Sequence, residues 1–246
     1  MCIIYEPRGK AKEYADLAVN IYKGCSHGCV YCYAPAATFK KREFFVNNPC
    51  TRINVMELLK KDAVKYRDDK RNVLLSFTSD IYQQLNTKLN LARETIEILN
   101  KNNISVTILT KGGLRATADF DILKLNKKNN FAVSLTSDDP EESLKWEPGA
   151  ALPKERIGSL EMAHDLGITT WVSFEPVINV EAVYRMIERT HKFVDLYKVG
   201  KLNYNSHSKT IDWAKFLINV ELILKKFDKK YYIKKDLEVY RTKTAA

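Results

Sequence analysis

The sequence predicts an α/β fold built on a parallel sheet. Three observations carry this. Apolar, β-branched runs alternate with helix-period stretches; the order never breaks; and no internal repeat, Ser/Gly linker or composition break divides the chain. The expected strands are 17–22, 72–77, 104–109, 131–135, 169–174 and 194–199. The helix-period stretches lie near 55–66, 89–101, 119–127, 153–166, 180–191 and 211–227, the first with Val55, Leu58, Leu59 and Val64 on its apolar face. Six units are too few for a closed eight-fold barrel, so an open six-unit β/α barrel and a doubly wound sheet both fit.

In either fold, ligands sit at the carboxyl ends of the strands. That rule selects, in chain order, Lys23-Gly24-Cys25, Thr78-Ser79-Asp80, Thr110-Lys111, Thr136-Ser137-Asp138, Glu175-Pro176 and Gly200-Lys201. The barrel is expected over residues 1–224, with a basic, aromatic tail over 225–246 as part of the same domain or a short extension.

Composition bounds the function. The 246 residues are 45% hydrophobic and 28% charged, ordinary values for a globular protein that can bury a full core. Nine Gly and seven Pro exclude collagen-like and low-complexity chains. No apolar stretch approaches the roughly 18 residues of a membrane span. The opening Met1-Cys2-Ile3-Ile4-Tyr5-Glu6-Pro7 lacks a secretory apolar region, so a cytoplasmic protein is expected. A net charge of 40 − 30 = +10 biases the surface toward polyanions such as nucleic acid.

Five cysteines and no export signal argue for metal or reactive-thiol use rather than a disulfide framework. Three of them fall in Cys25-Ser26-His27-Gly28-Cys29-Val30-Tyr31-Cys32, at the end of the first strand. A C-x3-C-x2-C loop can wrap one inorganic centre. A [4Fe–4S] cluster ordinarily takes four cysteines, so three leave one iron open to a substrate or cofactor. Gly24 and Gly28 let the backbone bend around the cluster, and Tyr31 could shield it. A zinc site using His27 as fourth ligand, an electron-carrier cluster completed by Cys2 or Cys50, and three buried structural cysteines are the competing readings.

C-x3-C-x2-C with an aromatic before the last cysteine resembles the signature of radical S-adenosylmethionine enzymes. The resemblance implies a partial (β/α)6 barrel, a [4Fe–4S] cluster and S-adenosyl-L-methionine. One electron then cleaves the sulfonium to methionine and a 5′-deoxyadenosyl radical, which abstracts a substrate hydrogen. An electron donor such as flavodoxin or ferredoxin is implied with it. Further stretches are similar to the spore photoproduct lyase-like branch: residues 9–15, Asn20-Ile21-Tyr22-Lys23-Gly24-Cys25, Tyr31-Cys32-Tyr33-Ala34-Pro35, Thr78-Ser79-Asp80, Thr110-Lys111, Ser134-Leu135-Thr136-Ser137, Glu147-Pro148-Gly149 and Arg156.

By this resemblance Cys25, Cys29 and Cys32 ligate the cluster, the Thr78-Ser79-Asp80 loop meets the methionyl amino end of the cofactor, Lys111 pairs with its carboxylate, and Ser134 bonds its ribose or methionyl part. Tyr31 and Tyr33 correspond to tyrosines near the radical path. Glu175 follows an apolar run and either contacts cofactor or substrate or pairs with Lys201. Lys201 and Asn203 are expected on the substrate side, with His207 nearby.

The pattern breaks at Phe77. The lyase has a hydrogen-donating cysteine there, and phenylalanine has no S–H to give. Strict spore photoproduct repair is therefore disfavoured, leaving Cys50, Cys2, Tyr33 or 5′-deoxyadenosine itself to return the hydrogen. The expected function is repair or modification of a nucleobase, in DNA ahead of RNA. A protein or small-metabolite substrate, and a non-catalytic iron–sulfur or zinc binding module, are the alternatives. The tail supports nucleic acid: Lys225, Lys226, Lys229, Lys230, Lys234, Lys235, Arg241 and Lys243 against three acids leave 8 − 3 = +5, interleaved with Phe227, Tyr231, Tyr232 and Tyr240. The competing reading is a solvated helix end followed by a half-buried terminal strand.

Overall fold

The computed structural model describes residues 2–241. Its strands are β1 (Ile4–Tyr5), β2 (Leu17–Val19), β3 (Tyr22–Lys23), β4 (Cys50–Thr51), β5 (Val73–Leu75), β6 (Val106–Thr110), β7 (Asn130–Ser134), β8 (Thr169–Val177), β9 (Leu196–Lys201) and β10 (Lys230–Ile233). Eight form one open sheet in the order β1-β2-β5-β6-β7-β8-β9-β10, while β3 and β4 make a separate antiparallel pair. Only β1 runs antiparallel in the main sheet, and every other neighbour pair is parallel. This is the partial β/α barrel, with one parallel strand more than expected; the first expected strand, 17–22, is split, β2 ending at Val19 and Tyr22 opening the separate β3.

The extra strand is β10, which lies in the stretch expected as a basic tail. Lys230↔Leu196 and Ile233↔Val199 fix its register on β9. Lys225 and Lys226 end the preceding helix, Trp213–Lys226, and a short helix, Lys235–Glu238, follows the strand. Lys243 lies outside the described residues.

Parallel strands are covered on both faces, and β2 and β5 are buried at every position. The covering helices follow from helix-period burial. Ala92, Thr95, Ile96 and Leu99 are the inner face of Leu91–Lys101, and Ala182, Val183, Met186, Ile187 and Thr190 that of Val180–Thr190. Asn179 caps the latter by accepting from the Ala182 N–H, and Asp212 caps Trp213–Lys226 through Lys215 N–H, which starts it two residues later than the apolar pattern suggests. The expected helix at 119–127 is instead a 3-10 turn, Gly113–Asp119, and one short turn, Phe120–Leu123.

One irregularity bears on the site. β8 was expected to end at Phe174 but continues to Val177, with a register shift against β9 between Phe174 and Val177. Pro176 has no N–H to give the ladder, so pairing lapses there and Glu175 stands at the bulge, on the carboxyl-end rim of the sheet.

Candidate active site

The three cysteines start from a tightly packed loop. Gly24 and Gly28 both adopt positive φ, and a Cβ on Gly24 would sit 2.6 Å from the Phe45 carbonyl oxygen. Gln83, fully buried, accepts from the Ser26 N–H at 3.0 Å and donates to the Gly24 carbonyl at 3.1 Å. From the other side Gly149 N–H bonds His27 O and Val30 N–H bonds Trp146 O. A Cβ at Gly149 would lie 2.2 Å from the Ser26 carbonyl oxygen, so only glycine fits there.

The loop faces a cavity of about 460 Å³ at the carboxyl ends of the strands. Cys25, Cys29 and Cys32 line it together with Tyr31, Tyr33, Thr78, Ser79, Asp80, Lys111, Ser134, Glu175, Lys201 and Asn203. Residues from six separate segments thus converge on one space. Cys2 and Cys50 are exposed and do not line it, so neither stands where a fourth cluster thiolate or a hydrogen donor would be needed.

Among the described residues no three Cys, His, Asp or Glu side chains are grouped closely enough to hold a single metal ion. Cubane ligation has no such requirement, because each thiolate takes a different iron. His27 is also spoken for: Arg115 Nη2 lies 3.1 Å from its Nε2, and Asp80 lies 3.5 Å from its Nδ1. Burial first, then the charges of Arg115 and Lys111 against the pull of Asp80, lower its pKa to about 4. With Nε2 against Arg115 and Nδ1 facing Asp80, neither ring nitrogen is turned toward a fourth zinc position. Burial pushes the Cys29 thiol up to about 12 and the Cys25 thiol higher than an ordinary one, so binding iron there releases protons.

Two carboxylates brace the walls. Glu147 is buried, ion-paired with Arg156 at 2.6 Å, hydrogen-bonded by the Tyr31 hydroxyl and approached by Lys111 Nζ at 4.0 Å. Burial opposes ionisation of Glu147, but Arg156 and Lys111 outweigh it and hold the carboxyl below its ordinary range. Arg156 also donates to the Ser134 and Ala151 carbonyls, which ties β7 to the cysteine loop's support. Burial alone would lower Lys111, yet Cys29 and Glu147 keep it above the ordinary lysine value. It is a cation on the cysteine wall, 5.8 Å from the Tyr31 ring centre.

On the opposite wall Glu175 meets Lys234, not Lys201: Lys234 Nζ, 2% exposed, donates to Oε2 at 2.5 Å. The Tyr14 hydroxyl donates to the same oxygen and lies 2.9 Å from Ser173 Oγ. Lys201 instead bonds the Tyr240 hydroxyl at 3.0 Å and sits over the Tyr240 and Trp213 rings. Asn203 bonds Asp236 at 2.7 Å. His207 is outside the cavity, with its Nε2 against the Ile178 carbonyl.

The expected Thr78-Ser79-Asp80 loop is at the cavity, but its polar atoms are partly committed. Asp80 accepts from Thr110 Oγ1, Lys111 N–H and Tyr82 N–H, and Ser79 Oγ bonds Ser76 Oγ. Asn20 Oδ1 accepts from the Phe77 and Thr78 N–H groups and holds the loop's entry. Asp80 therefore shapes the loop that presents Lys111. Tyr33 bonds the Phe77 carbonyl at 3.2 Å, and Phe77 itself lines the cavity, edge-on to Tyr14. Tyr14, Lys234 and Arg8 were missed in the sequence; Lys234 is masked there by a run of solvated-looking basic residues.

Residues 19–194 match the Radical SAM superfamily, well over half of the chain. The chain belongs to the radical SAM superfamily. The family uses a [4Fe–4S] cluster and S-adenosylmethionine, and the thiols, the glycine-rich cradle and the cationic wall described above fit both. An uncharacterised protein of Methanocaldococcus jannaschii is 29% identical over 192 residues, covering 77% of this chain and 71% of that one. An uncharacterised protein of Mycobacterium tuberculosis is 28% identical over 171 residues, and the match spans only 49% of its length. Among solved structures, spore photoproduct lyase holding S-adenosylmethionine and a dinucleoside spore photoproduct aligns with a TM-score of 0.72 at 15% identity, over 93% of this chain and 78% of that one. SuiB of Streptococcus suis bound to its precursor peptide aligns at 0.66 and 13% identity, over 92% of this chain and 51% of SuiB. These likenesses establish the fold.

Proposed function

We propose that this radical SAM enzyme repairs or modifies a nucleobase, in DNA ahead of RNA. The observation that carries the reading is the division of the cavity. Its cysteine wall holds the three thiols and Lys111, while its far rim presents Arg8, Lys10, Lys201, Asn203 and Tyr204. Arg8 and Lys201 make no ion pair among the described residues, Lys10 Nζ pairs with Asp236 at 2.9 Å and stands 5.8 Å from the Tyr204 ring centre, and Tyr204 is almost fully exposed. A rim of cations with an exposed aromatic suits phosphates and a stacked base. The dinucleoside held by spore photoproduct lyase supports the same class.

The bound cofactors supply a 5′-deoxyadenosyl radical that abstracts hydrogen from the substrate. The chain's own residues hold and orient. Cys25, Cys29 and Cys32 ligate the cluster; Lys111 binds the cofactor carboxylate; the backbone of the Thr78–Ser79 turn and Ser134 hold its amino and ribose parts; Tyr31 keeps water from the cysteine wall. Tyr33, Glu175, Lys201 and Asn203 face the substrate, with Glu175 held in place by Lys234. A base in a duplex must leave the stack to enter, since the cavity is a pocket at one end of the barrel. Phe77 makes a lyase-type hydrogen return at that position impossible, and Tyr33, whose hydroxyl bonds the Phe77 carbonyl, is the phenolic alternative.

The tail contributes less to nucleic-acid contact than its composition suggests. Lys229 bonds the Val194 carbonyl, Lys234 is buried against Glu175, and Arg241 pairs with Glu221 and Glu238. The rim, not the tail, carries the nucleic-acid reading. SuiB's precursor peptide keeps a peptide substrate as the second reading.

The test is isotopic. Oligonucleotides with deuterated nucleobases, single-stranded and ultraviolet-irradiated, are incubated anaerobically with the loaded enzyme, and 5′-deoxyadenosine is analysed by mass. Deuterium transferred from DNA is expected. Unlabelled product, with no stimulation by any oligonucleotide, would overturn the nucleobase reading.

A further inference from the structure

The cluster loop has two sides, and only one faces the cavity. On the other, the chain leaves Cys29 through Val30, which is half-exposed, and is gripped by Arg42. Arg42 Nη1 and Nη2 both donate to the Cys29 carbonyl, at 2.9 and 2.8 Å, and Nη2 also reaches the Val30 carbonyl. Arg42 opens the helix Arg42–Asn47, and the segment leading into it carries Phe39, 96% exposed, with Lys40 and Lys41. Phe44, also largely exposed, lies under Lys40 Nζ at 5.6 Å from its ring centre. None of Val30, Phe39, Lys40, Lys41, Arg42 or Phe44 lines the cavity.

Lys23, Lys40, Lys41 and Arg42, which flank the cysteine loop in sequence, are exposed and make no ion pair among the described residues. Over residues 40–43 three cations stand against Glu43, 3 − 1 = +2. Exposed phenylalanine rings within a cationic surface are the composition of a protein-docking patch: aromatic contact at the centre, charge to steer the partner.

We propose that the Phe39–Phe44 face, with Val30, is the docking surface for an acidic one-electron carrier protein. The proposal rests on membership of the radical SAM superfamily and not on the choice of substrate. The family's cluster must receive one electron from outside. The carrier's reduced cofactor loses one electron and the cluster gains it, with no bond made or broken. The cavity side is reserved for cofactor and substrate, and the Arg42-bound Cys29 backbone connects the outer face to a cluster ligand. A nucleic acid lying on this face would be behind the cysteine loop, where no base could reach the cavity. A negative carrier gains from steering by four unpaired cations, and a small, salt-sensitive contact is typical of such encounters.

The test uses the reconstituted enzyme, with reduced flavodoxin as the acidic carrier and dithionite as the small reductant. Two variants alter exposed positions only: the double substitution Lys40→Glu/Lys41→Glu, and Phe39→Ser. Cluster bleaching is followed by stopped flow, and affinity for oxidised flavodoxin by calorimetry. Both variants should be reduced by dithionite at the wild-type rate. Reduction by flavodoxin, and its affinity, should fall about tenfold or more in the charge-reversed variant, and added salt should slow the wild type but not that variant. Unchanged flavodoxin rates and affinities in both variants would overturn the proposal. So would a variant that keeps its flavodoxin rate while losing affinity for a single-stranded oligonucleotide, which would make the face a nucleic-acid contact.

Discussion

Two carboxylates flank the cavity, each holding a tyrosine hydroxyl and a cation, and they differ in what they can do. Glu147 is fully buried, and its partner Arg156 is 1% exposed; the guanidinium also fastens the Ser134 and Ala151 carbonyls. Glu175 is 17% exposed and lines the cavity, and its partner is the lysine Lys234. Arginine is permanently charged and offers a planar fork of donors, whereas lysine is a single flexible cation. The first triad is a rivet that joins β7, the Glu147–Gly149 turn and Tyr31 behind the cysteine loop. The second is a carboxylate held ready at the cavity. Similar groups brace a buried wall on one side and line the cavity on the other.

Removing the cations should separate the two roles. Arg156→Met leaves Glu147 charged and buried, and should cost about 3–5 kcal/mol of stability, read by urea unfolding of the cluster-free chain. Iron retained after reconstitution should fall with it. Lys234→Met leaves Glu175 with the Tyr14 hydroxyl and access to the cavity, so the cost should be smaller, about 1–3 kcal/mol, with iron loading intact. Equal destabilisation and equal iron loss in both variants would erase the distinction.

The Glu175 wall also carries a pH signature. Lys198, whose ammonium bonds the Glu13 and Tyr14 carbonyls, is lowered to about 8 from 10.5, first by burial and then by Lys234. The native chain gives up this proton before the unfolded chain does. Between those two values the unfolded state binds more protons, so the contribution of Lys198 to stability rises with pH. Urea midpoints measured from pH 7.5 to 9.5 should rise in the wild type relative to Lys198→Met. Parallel curves would show that Lys198 is not depressed. The smallest effect expected is that of Tyr14→Phe, which removes one hydroxyl from Glu175 and Ser173 and should cost about 1 kcal/mol.

Much of this arrangement is legible in the chain because a parallel β/α order puts residues after each strand at one end. Cys25, Thr78, Lys111, Glu175 and Lys201 follow five of the six apolar runs, and all of them line the same cavity. Partnerships across long separations were not legible. Glu175 and Lys201 look like a pair at neighbouring strand ends, but β10 brings Lys234 in from a stretch whose charge resembles a solvated tail. Asp80 looks like a ligand contact until the fold aims it at Thr110 and Lys111 N–H. Helix and strand periodicity record which face is buried; they carry no information on which buried groups meet.

The proposed seating of an open-site cluster and S-adenosylmethionine against the cysteine wall is open to one decisive experiment: anaerobic reconstitution with iron and sulfide, reduction with dithionite and quantification of 5′-deoxyadenosine after adding S-adenosylmethionine. The wild type should yield 5′-deoxyadenosine and Cys29→Ala none. A fully loaded [4Fe–4S] cluster that yields no 5′-deoxyadenosine would refute that seating.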